Sequence, residues 1–271
     1  MVRESPDPTG SIYALMGYYL RFLRNQQRLN QAQVGELIGC TKGQVSKYEA
    51  ATRQLDSREC AALDRAWDTG GLFTYLLGYA KLGVDPNWPA RHRRYQREAT
   101  AHYIFAGDLV PLPFQTEEYA RSLLGAGHAA GFVDDLDAAV KRRMDLQAAM
   151  LDRRPEIWAV LDEVTLRPMG GPEIIVAQRD RLLELGALTH VSIRILPLSA
   201  APHLGMDGSF KCFRLAGRRL AAFSGSALGV GRVIDDQEEA AEVLLRFHRI
   251  AARAWSEDQS RARIAEMGED L

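Results

Sequence analysis

Several features of common protein classes are missing from this chain of 271 residues. The three cysteines, Cys40, Cys60 and Cys212, are scattered and lack CxxC spacing, so neither a disulfide framework nor a cysteine zinc site is expected. The uncharged apolar runs fall far short of the roughly 20 residues that span a bilayer. The polar first ten residues carry Pro6 and Pro8, unlike a secretory signal. We therefore expect a cytoplasmic protein with reduced thiols and no membrane partner.

Catalytic signatures are also scarce. The sequence contains no GxSxG and no HExxH, and the glycines at 225–231 lack GxGxxG order and a Walker lysine. Asp162 and Glu163, at the end of a predicted strand, are the most enzyme-like pair, but neighbours on a strand point to opposite faces. A structural cap or an ion pair is the preferred interpretation of these carboxylates. His203 has no second histidine at ligand spacing. We expect no catalytic residue, no bound metal and no cofactor.

The charge is balanced overall but unevenly distributed. The chain has 34 basic and 35 acidic side chains, a formal charge of -1. Residues 21–53 hold six basic against two acidic side chains, whereas residues 99–271 hold 20 against 25. A basic segment at the front of an acidic body is typical of a protein with one face that meets phosphates. A solvated helix face is the alternative explanation.

The segment QAQVGELIGCTKGQVSKYEA, residues 31–50, meets the positional demands of a helix-turn-helix, in which two short helices cross at a steep angle. Gly35 is small where the second helix must pass close, and Gly39 suits a turn residue with positive φ. The spacing predicts that the second helix covers residues 42–50. Apolar or small side chains occupy the other required offsets, at Val34, Ile38, Cys40, Val45 and Tyr48.

Capping residues and flanking helices agree with this motif. Asn30 precedes the first helix and Thr41 the second, and both are favourable N-cap types. Apolar residues at i, i+4 and i+7 predict a preceding helix over residues 11–28. Two further helices are expected, one from Asp56 or Ser57 to Trp67 and one over residues 72–81. The pattern predicts a mainly α, five-helix domain over residues 1–81.

The run LRFLRNQQRLNQAQVGELIGCTKGQVSKYE resembles the lambda repressor/Cro type of helix-turn-helix, the XRE family, over about 70 residues. The resemblance implies a DNA-binding domain. In that family an arginine of the first helix commonly pairs with a glutamate that ends the recognition helix. The resemblance therefore implies a pair between Arg24 and Glu49.

A recognition helix of this type enters the major groove of double-stranded DNA by its N-terminal end. Lysine suits guanine O6 and N7, and glutamine suits adenine N6 and N7. For each side chain a solvated polar residue without a DNA contact is the alternative. Base contacts are expected from Lys42, Gln44 and Lys47, and phosphate contacts from Gln31, Thr41, Ser46 and Arg53.

The rest of the chain mixes helical and strand periodicities. Residues 82–101 are expected to form a connecting helix with a basic outer face, which alternatively touches the DNA backbone, and with Trp88 and Tyr95 packed inward. Residues 102–271 are expected to form an α+β domain, a small sheet covered by helices. Strands are predicted at residues 102–105, 157–161, 191–196, 209–215 and 220–223, the last two as a hairpin, and helices at residues 116–124, 134–151, 172–185, 235–255 and 257–267.

This larger part resembles the C-terminal domain of WhiJ-type actinobacterial regulators over nearly all of residues 102–268. The resemblance rests on LVPLPFQTEEYARSLL, the KRRMDLQ helix, AVLDEVTLRPMGGPEIIVAQRDRLLEL and VSIRILPLSAAPHLGMDGSFKCFRL. Where that family usually has glycine and leucine, this chain has Leu112, Pro113 and Phe114, so the loop is expected to differ. The resemblance implies a transcription regulator gated by a small protein partner encoded nearby, as in antitoxin-like proteins.

Two surfaces of this domain are candidates for control. The loop of residues 198–208 carries His203 between two strands, and a pocket formed by His203, Asp162 and Arg194 would sense a ligand; the alternative is a plain connection. One side of the predicted helix at 235–255 is the candidate dimer surface, with core packing as the alternative. That side carries Ala241, Leu244, Leu245, His248, Ala251, Ala252 and Trp255.

The sequence therefore predicts a sequence-specific, DNA-binding transcriptional regulator. A dimer is expected because two headpieces engage two half-sites roughly 34 Å apart. Two alternatives belong to other classes. One is an antitoxin-like protein that mainly binds a small partner and regulates its own synthesis. The other is a small-molecule receptor or enzyme joined to a helix-turn-helix head.

Overall fold

A computed structural model describes residues 6–82, 88–225 and 231–269. The chain forms two compact units, Met1–Pro89 and Ala90–Leu271. Among the described residues, no helix has the length and apolar character needed to cross a membrane.

Within residues 6–82 the first unit consists of five helices, as the sequence predicts. They are α1 (Ile12–Gln26), α2 (Gln31–Ile38), α3 (Lys42–Glu49), α4 (Ser57–Trp67) and α5 (Leu72–Leu82). The side chains of Ser11, Asn30, Thr41 and Asp56 cap the first four, because each accepts a hydrogen bond from an otherwise unpaired amide of the first turn.

Every one of these helices contributes to one core. The side chains of Leu20, Val34, Val45, Leu63 and Phe73, one from each helix in order, are fully buried against one another. The apolar positions of the helix-turn-helix pattern belong to this core: Val34, Ile38, Val45 and Tyr48 are buried, and Cys40 packs against it. The core therefore fixes the angle between α2 and α3.

The described part of the second unit is built on one six-stranded mixed sheet in the order β3-β2-β1-β4-β5-β6. β1 to β3 are parallel, and β4 to β6 continue the sheet as an antiparallel meander. The bounds are β1 (Ala101–Ala106), β2 (Glu156–Asp162), β3 (Val191–Leu196), β4 (Phe210–Arg214), β5 (Leu220–Gly225) and β6 (Gly231–Ile234).

Helices cover both faces of this sheet, which confirms the predicted α+β class. One face carries Ile104, Ile157 and Ile193, which pack with α7, α8 and α9, and the opposite face carries Tyr103, Val160 and Leu196, which pack with α10. The helices are α6 (Trp88–Glu98), α7 (Glu117–Ala129), α8 (Leu136–Leu151), α9 (Pro172–Gly186), α10 (Gln237–Ala251) and α11 (Glu257–Ala265).

The segment expected to connect the two domains contains α6. From Ala90 onward this helix lies in the second unit, where Tyr95 is buried against Phe213 and donates a hydrogen bond from its hydroxyl to Asp235. Arg91 pairs with the same carboxylate at 2.8 Å. Tyr95 thus faces inward, as predicted, and anchors the helix to the sheet.

The structure corrects two details of the second unit. The prediction missed β6, which is only four residues long and pairs with β5. The helix predicted over residues 235–255 ends at Ala251, so Ala252 and Trp255 lie outside it. Its buried side is formed by Ala240, Phe247 and Ile250, one position away from the predicted stripe. Of that stripe, Leu244 and Ala251 pack toward the sheet, whereas Ala241, Leu245, His248 and Ala252 are exposed.

Candidate functional sites

Glycines set the close approach of the helices in the first unit. A Cβ at Gly35 would stand 2.4 Å from the carbonyl oxygen of Cys40, so no larger residue fits without a backbone shift. Gly39 ends α2 with φ of 74°, the left-handed conformation predicted for the turn. Sequence reasoning missed a third position: a Cβ at Gly17 would lie 2.7 Å from the Tyr48 carbonyl oxygen, so α1 and α3 also pass in close contact.

Both helices of the motif begin with a capping box. Asn30 Oδ1 accepts hydrogen bonds from the amides of Ala32 and Gln33, and Gln33 Oε1 accepts one from the Asn30 amide. Thr41 and Gln44 make the same reciprocal contacts at the start of α3. These paired hydrogen bonds therefore fix the starts of α2 and α3.

A buried ionic cluster holds the end of α3. The Glu49 side chain is fully buried and accepts hydrogen bonds from Arg24 Nη2 at 3.1 Å and Gln31 Nε2 at 2.9 Å, and Arg21 lies at 3.4 Å. The pair between Arg24 and Glu49, implied by the family resemblance, is confirmed. Glu49 thereby ties α3 to both α1 and α2.

The other side of α3 is fixed to α4. The Tyr48 hydroxyl donates a hydrogen bond to Glu59, and burial, followed by the hydrogen bond and charge of Glu59, raises the pKa of Tyr48. The Arg53 guanidinium lies 5.6 Å from the centre of the Tyr48 ring, a cation–π distance. This contact holds an exposed arginine beside the C-terminal end of α3.

The residues expected to contact DNA fall into two groups. Thr41, Lys42, Lys47 and Arg53 are exposed. The other three, Gln31, Gln44 and Ser46, are half-buried. These assignments to bases and phosphates stay predictions.

Two glutamines have intramolecular roles that the sequence analysis did not foresee. Gln31 donates its amide to Glu49. Gln44 Oε1 accepts hydrogen bonds from the Thr41 amide at 2.9 Å and the Thr41 hydroxyl at 3.2 Å. While the cap is intact, Gln44 offers a base only its Nε2 group rather than the bidentate edge that adenine requires.

Asp162 and His203, two of the three residues of the predicted sensing pocket, lie in contact. His203 Nε2 lies 3.1 Å from Asp162 Oδ2, and His203 Nδ1 accepts a hydrogen bond from the Gly205 amide. The other Asp162 oxygen accepts one from the Val164 amide. Both side chains are largely buried, 7% and 12% exposed. Their polar atoms are thus used to fasten the loop of residues 198–208.

Glu163 is also engaged within the fold. Its carboxylate forms an ion pair with Arg263 at 2.7 Å and accepts a hydrogen bond from the Leu198 amide, and these contacts outweigh burial and lower its pKa. Asp162 and Glu163 thus form the cap and the ion pair that the sequence analysis preferred.

The third residue of the expected pocket, Arg194, lies elsewhere. Its Nε and Nη2 groups donate hydrogen bonds to the carbonyl oxygens of Trp255 and Ala254, at 2.7 and 2.6 Å. Arg194 lines a cavity of about 340 Å³ on the α10 face of the sheet, and neither His203 nor Asp162 is among its lining residues. The structure therefore brings two of the three residues together and assigns the third to a separate cavity.

The fold and the α2–α3 geometry define a helix-turn-helix protein. Residues 15–72 match the family model described as a helix-turn-helix domain, which indicates a DNA-binding regulator. Residues 89–266, about two thirds of the chain, match the model described as a domain of unknown function, DUF5753, and the chain belongs to that family. It has no match among curated proteins or solved structures.

Proposed function

We propose that this protein is a sequence-specific transcriptional regulator of the XRE type whose helix α3 reads the major groove of DNA. The observation that carries the proposal is the architecture of α3. Thr41 and Lys42 are exposed at its N-terminal end, and the side chains of Val45, Tyr48 and Glu49 are buried on its opposite side. A helix fixed along one side and open at its N-terminal end is the arrangement with which helix-turn-helix proteins read bases.

The electrostatics around α3 support the same proposal. Lys42, Lys47 and Arg53 are exposed, and the one acidic residue of α3, Glu49, is buried beside two arginines. The exposed part of α3 is therefore positive although the whole chain carries a charge of -1. Such a local field favours contact with phosphates.

The proposal is tested by selecting bound fragments from genomic DNA and titrating the selected duplex against a scrambled duplex of equal length. Lys42→Ala with Gln44→Glu is the informative double variant, because glutamate keeps the capping-box acceptor while it removes the amide donor. Discrimination between the duplexes should fall by about 1–3 kcal/mol. Lys141→Ala, which removes an exposed lysine of α8, should leave it unchanged. Equal affinity of the unaltered protein for both duplexes would overturn the proposal.

The proposed regulator acts as a homodimer, since one headpiece covers one half-site only. The exposed residues Ala241, Leu245 and His248 of α10, together with Ala252 just beyond its end, are the proposed dimer surface. Leu245 is 52% exposed on this surface, so its substitution should weaken the dimer. Analytical ultracentrifugation of the variants measures whether they become monomers. A monomer that retains full operator affinity would contradict this part of the proposal.

The proposed role of the second unit is regulatory and not catalytic. The resemblance to WhiJ-type regulators supports gating through this unit, and the cavity beside α10 favours a small ligand as the signal over a small protein partner. The two most enzyme-like carboxylates make contacts within the fold. Asp162 accepts a hydrogen bond from the Val164 amide and lies beside His203, and Glu163 forms an ion pair with Arg263. Co-expression with the product of an adjacent small gene provides the test. A tight complex would instead favour the antitoxin-like alternative.

A further inference from the structure

The side chain of Trp158 is unusually exposed to solvent for a residue on an internal strand. It stands on β2, between β1 and β3, yet its side chain is 44% exposed. Its neighbours on the strand, Ile157 and Ala159, point to the opposite face and are buried. A large aromatic side chain left open on an internal strand marks a part of the sheet face that the chain does not cover.

Helix α10 explains the opening because it covers only part of this face. Phe247 of α10 packs edge-on against Tyr103, with ring centres 5.5 Å apart, and Ile250 joins the same cluster. Beyond this contact, Trp158 and neighbouring polar side chains line the cavity of about 340 Å³. Small-molecule sites have volumes of roughly 300–1,000 Å³. The cavity is therefore large enough for a compact ligand.

The charged groups of the lining are mainly cationic. Arg194 is held in place by two backbone carbonyl oxygens, and the Arg214 side chain has no hydrogen-bond or ion-pair partner among the described residues. Among the described residues, Glu156 is the one carboxylate that lines the cavity. Glu257 accepts a hydrogen bond from the lining residue Ser192 but is not itself part of the lining.

The two guanidiniums belong to different parts of the lining, because Arg194 on β3 pairs in register with Val160, whereas Arg214 on β4 is level with Glu156, and two strands lie between β3 and β4. The unpartnered guanidinium of Arg214 is suited to a carboxylate or phosphate.

We propose that this cavity is a binding site for a flat aromatic anion. The ring system stacks on Trp158, and the anionic group accepts hydrogen bonds from Arg214, while the charge of Arg194 adds to the positive potential of the lining. An apolar ligand would leave the Arg214 guanidinium without an acceptor, and a cation would be repelled by the two arginines. The site does not involve His203, and the inference holds whether or not α3 binds DNA.

Calorimetric titration with 2-naphthoate tests the site, with 2-naphthamide as the neutral counterpart of equal shape. The naphthoate should bind one molecule per chain with a Kd of about 0.1–1 mM, as expected for a ligand of this size. The amide should bind at least about tenfold more weakly, since it cannot form the charged contacts.

Two pairs of variants locate the binding. Trp158→Ala should weaken naphthoate binding about tenfold through loss of stacking, whereas Phe132→Ala, which removes an exposed aromatic elsewhere, should have no effect. Arg214→Ala should weaken it about tenfold, whereas Arg219→Ala, an exposed arginine outside the cavity, should not. Circular dichroism confirms that each variant is folded.

Three results would overturn the inference. These are no saturable binding of naphthoate up to about 10 mM, equal binding of the acid and the amide, or unchanged binding by Trp158→Ala. Each can be obtained without DNA, so failure of the site and failure of the proposed regulator are distinguishable.

Discussion

The carboxylate of Glu49 is fully buried and faces Arg24, Arg21 and Gln31. Burying a charge is unfavourable unless partners compensate for the lost hydration, and here α1 and α2 supply them. Glu49 is the last residue of α3, so the cluster sets where that helix ends. The orientation of the exposed lysines on α3 therefore depends on a residue that makes no contact with solvent.

Replacing Glu49 with glutamine should destabilise the first unit by about 3 kcal/mol, because the largely buried Arg24 loses the charge of its partner. Chemical unfolding followed by circular dichroism measures the loss. Glu36→Gln, an exposed carboxylate of α2, is the matched control and should change stability by less than about 0.5 kcal/mol. Equal stability of the two variants would show that the cluster does not support the fold.

Two histidines, His102 fully buried and His92 half-buried, make the second unit sensitive to acid. Burial, reinforced by the nearby positive charge of Lys211, lowers the pKa of His102 to about 3. Burial and the charges of Lys211, Arg93 and His102 lower the pKa of His92 to about 3 as well. The unfolded chain binds protons at these side chains as the pH falls through about 6.5, whereas the folded chain does not until about pH 3. Stability is therefore lost as the pH decreases between these values.

Below pH 6 the free energy of unfolding should fall by up to about 1.4 kcal/mol per pH unit for each of the two histidines. Urea unfolding at several pH values between 7 and 4 measures this pH dependence. His102→Leu should remove the contribution of one histidine, up to about 1.4 kcal/mol per pH unit. His128→Leu, which alters an exposed histidine of α7, should leave it as it is. A slope unaffected by His102→Leu would contradict the assignment.

At the scale of the elements, the α2–α3 pair was predictable because its signals are local. Cap residues, two glycines and five apolar positions all lie within about 20 residues. The Thr41-x-x-Gln44 spacing also predicts a capping box. That signal was available and would have shown that Gln44 cannot use its whole amide on a base.

Other features depend on contacts distant in sequence. β6 is short and gains its register only from β5. α10 carries two apolar stripes one residue apart, and only the sheet selects the one with Phe247 and Ile250. The exposure of Trp158 follows from what α10 leaves uncovered. Sequence patterns identify such elements but not which of their faces become buried.

The close packing of α2 and α3 predicts opposite effects for two glycines. Gly35→Ala should destabilise the first unit by about 1–3 kcal/mol, because the new Cβ meets the Cys40 carbonyl oxygen. Gly43→Ala should stabilise it by about 0.5–1 kcal/mol, since this helical position is open apart from Thr41 Oγ1 at 3.9 Å. Thermal unfolding of both variants provides the check. Equal effects would contradict the predicted helix crossing.

At the scale of the whole molecule, a near-neutral chain must concentrate its positive charge to bind DNA. Its affinity should therefore fall steeply with salt, in proportion to the number of phosphates contacted. Each exposed cation that meets a phosphate adds about one to the slope of log affinity against log salt concentration. Arg53→Ala should reduce this slope by about one for each bound subunit, and so by about two for the proposed dimer, and should weaken all duplexes alike. A slope unchanged by this substitution would remove Arg53 from the interface.

The proposed dimer makes a geometric prediction about the operator. Two half-sites should be separated by one turn of DNA or a multiple of it, about 10–10.5 base pairs from centre to centre for a single turn. Inserting five base pairs between them should place the half-sites on opposite faces of the duplex and abolish cooperative binding. Unchanged binding to the lengthened operator would show that the chain acts as a monomer.

Protection of guanine N7 from methylation on the selected operator tests most directly whether α3 lies in the major groove, because this atom faces that groove alone. At saturating protein we predict a small set of protected guanines, of which one in each half-site regains reactivity with Lys42→Ala while the others stay protected. If every guanine N7 remains reactive although the duplex is fully bound, α3 is not the reading element and the account is wrong.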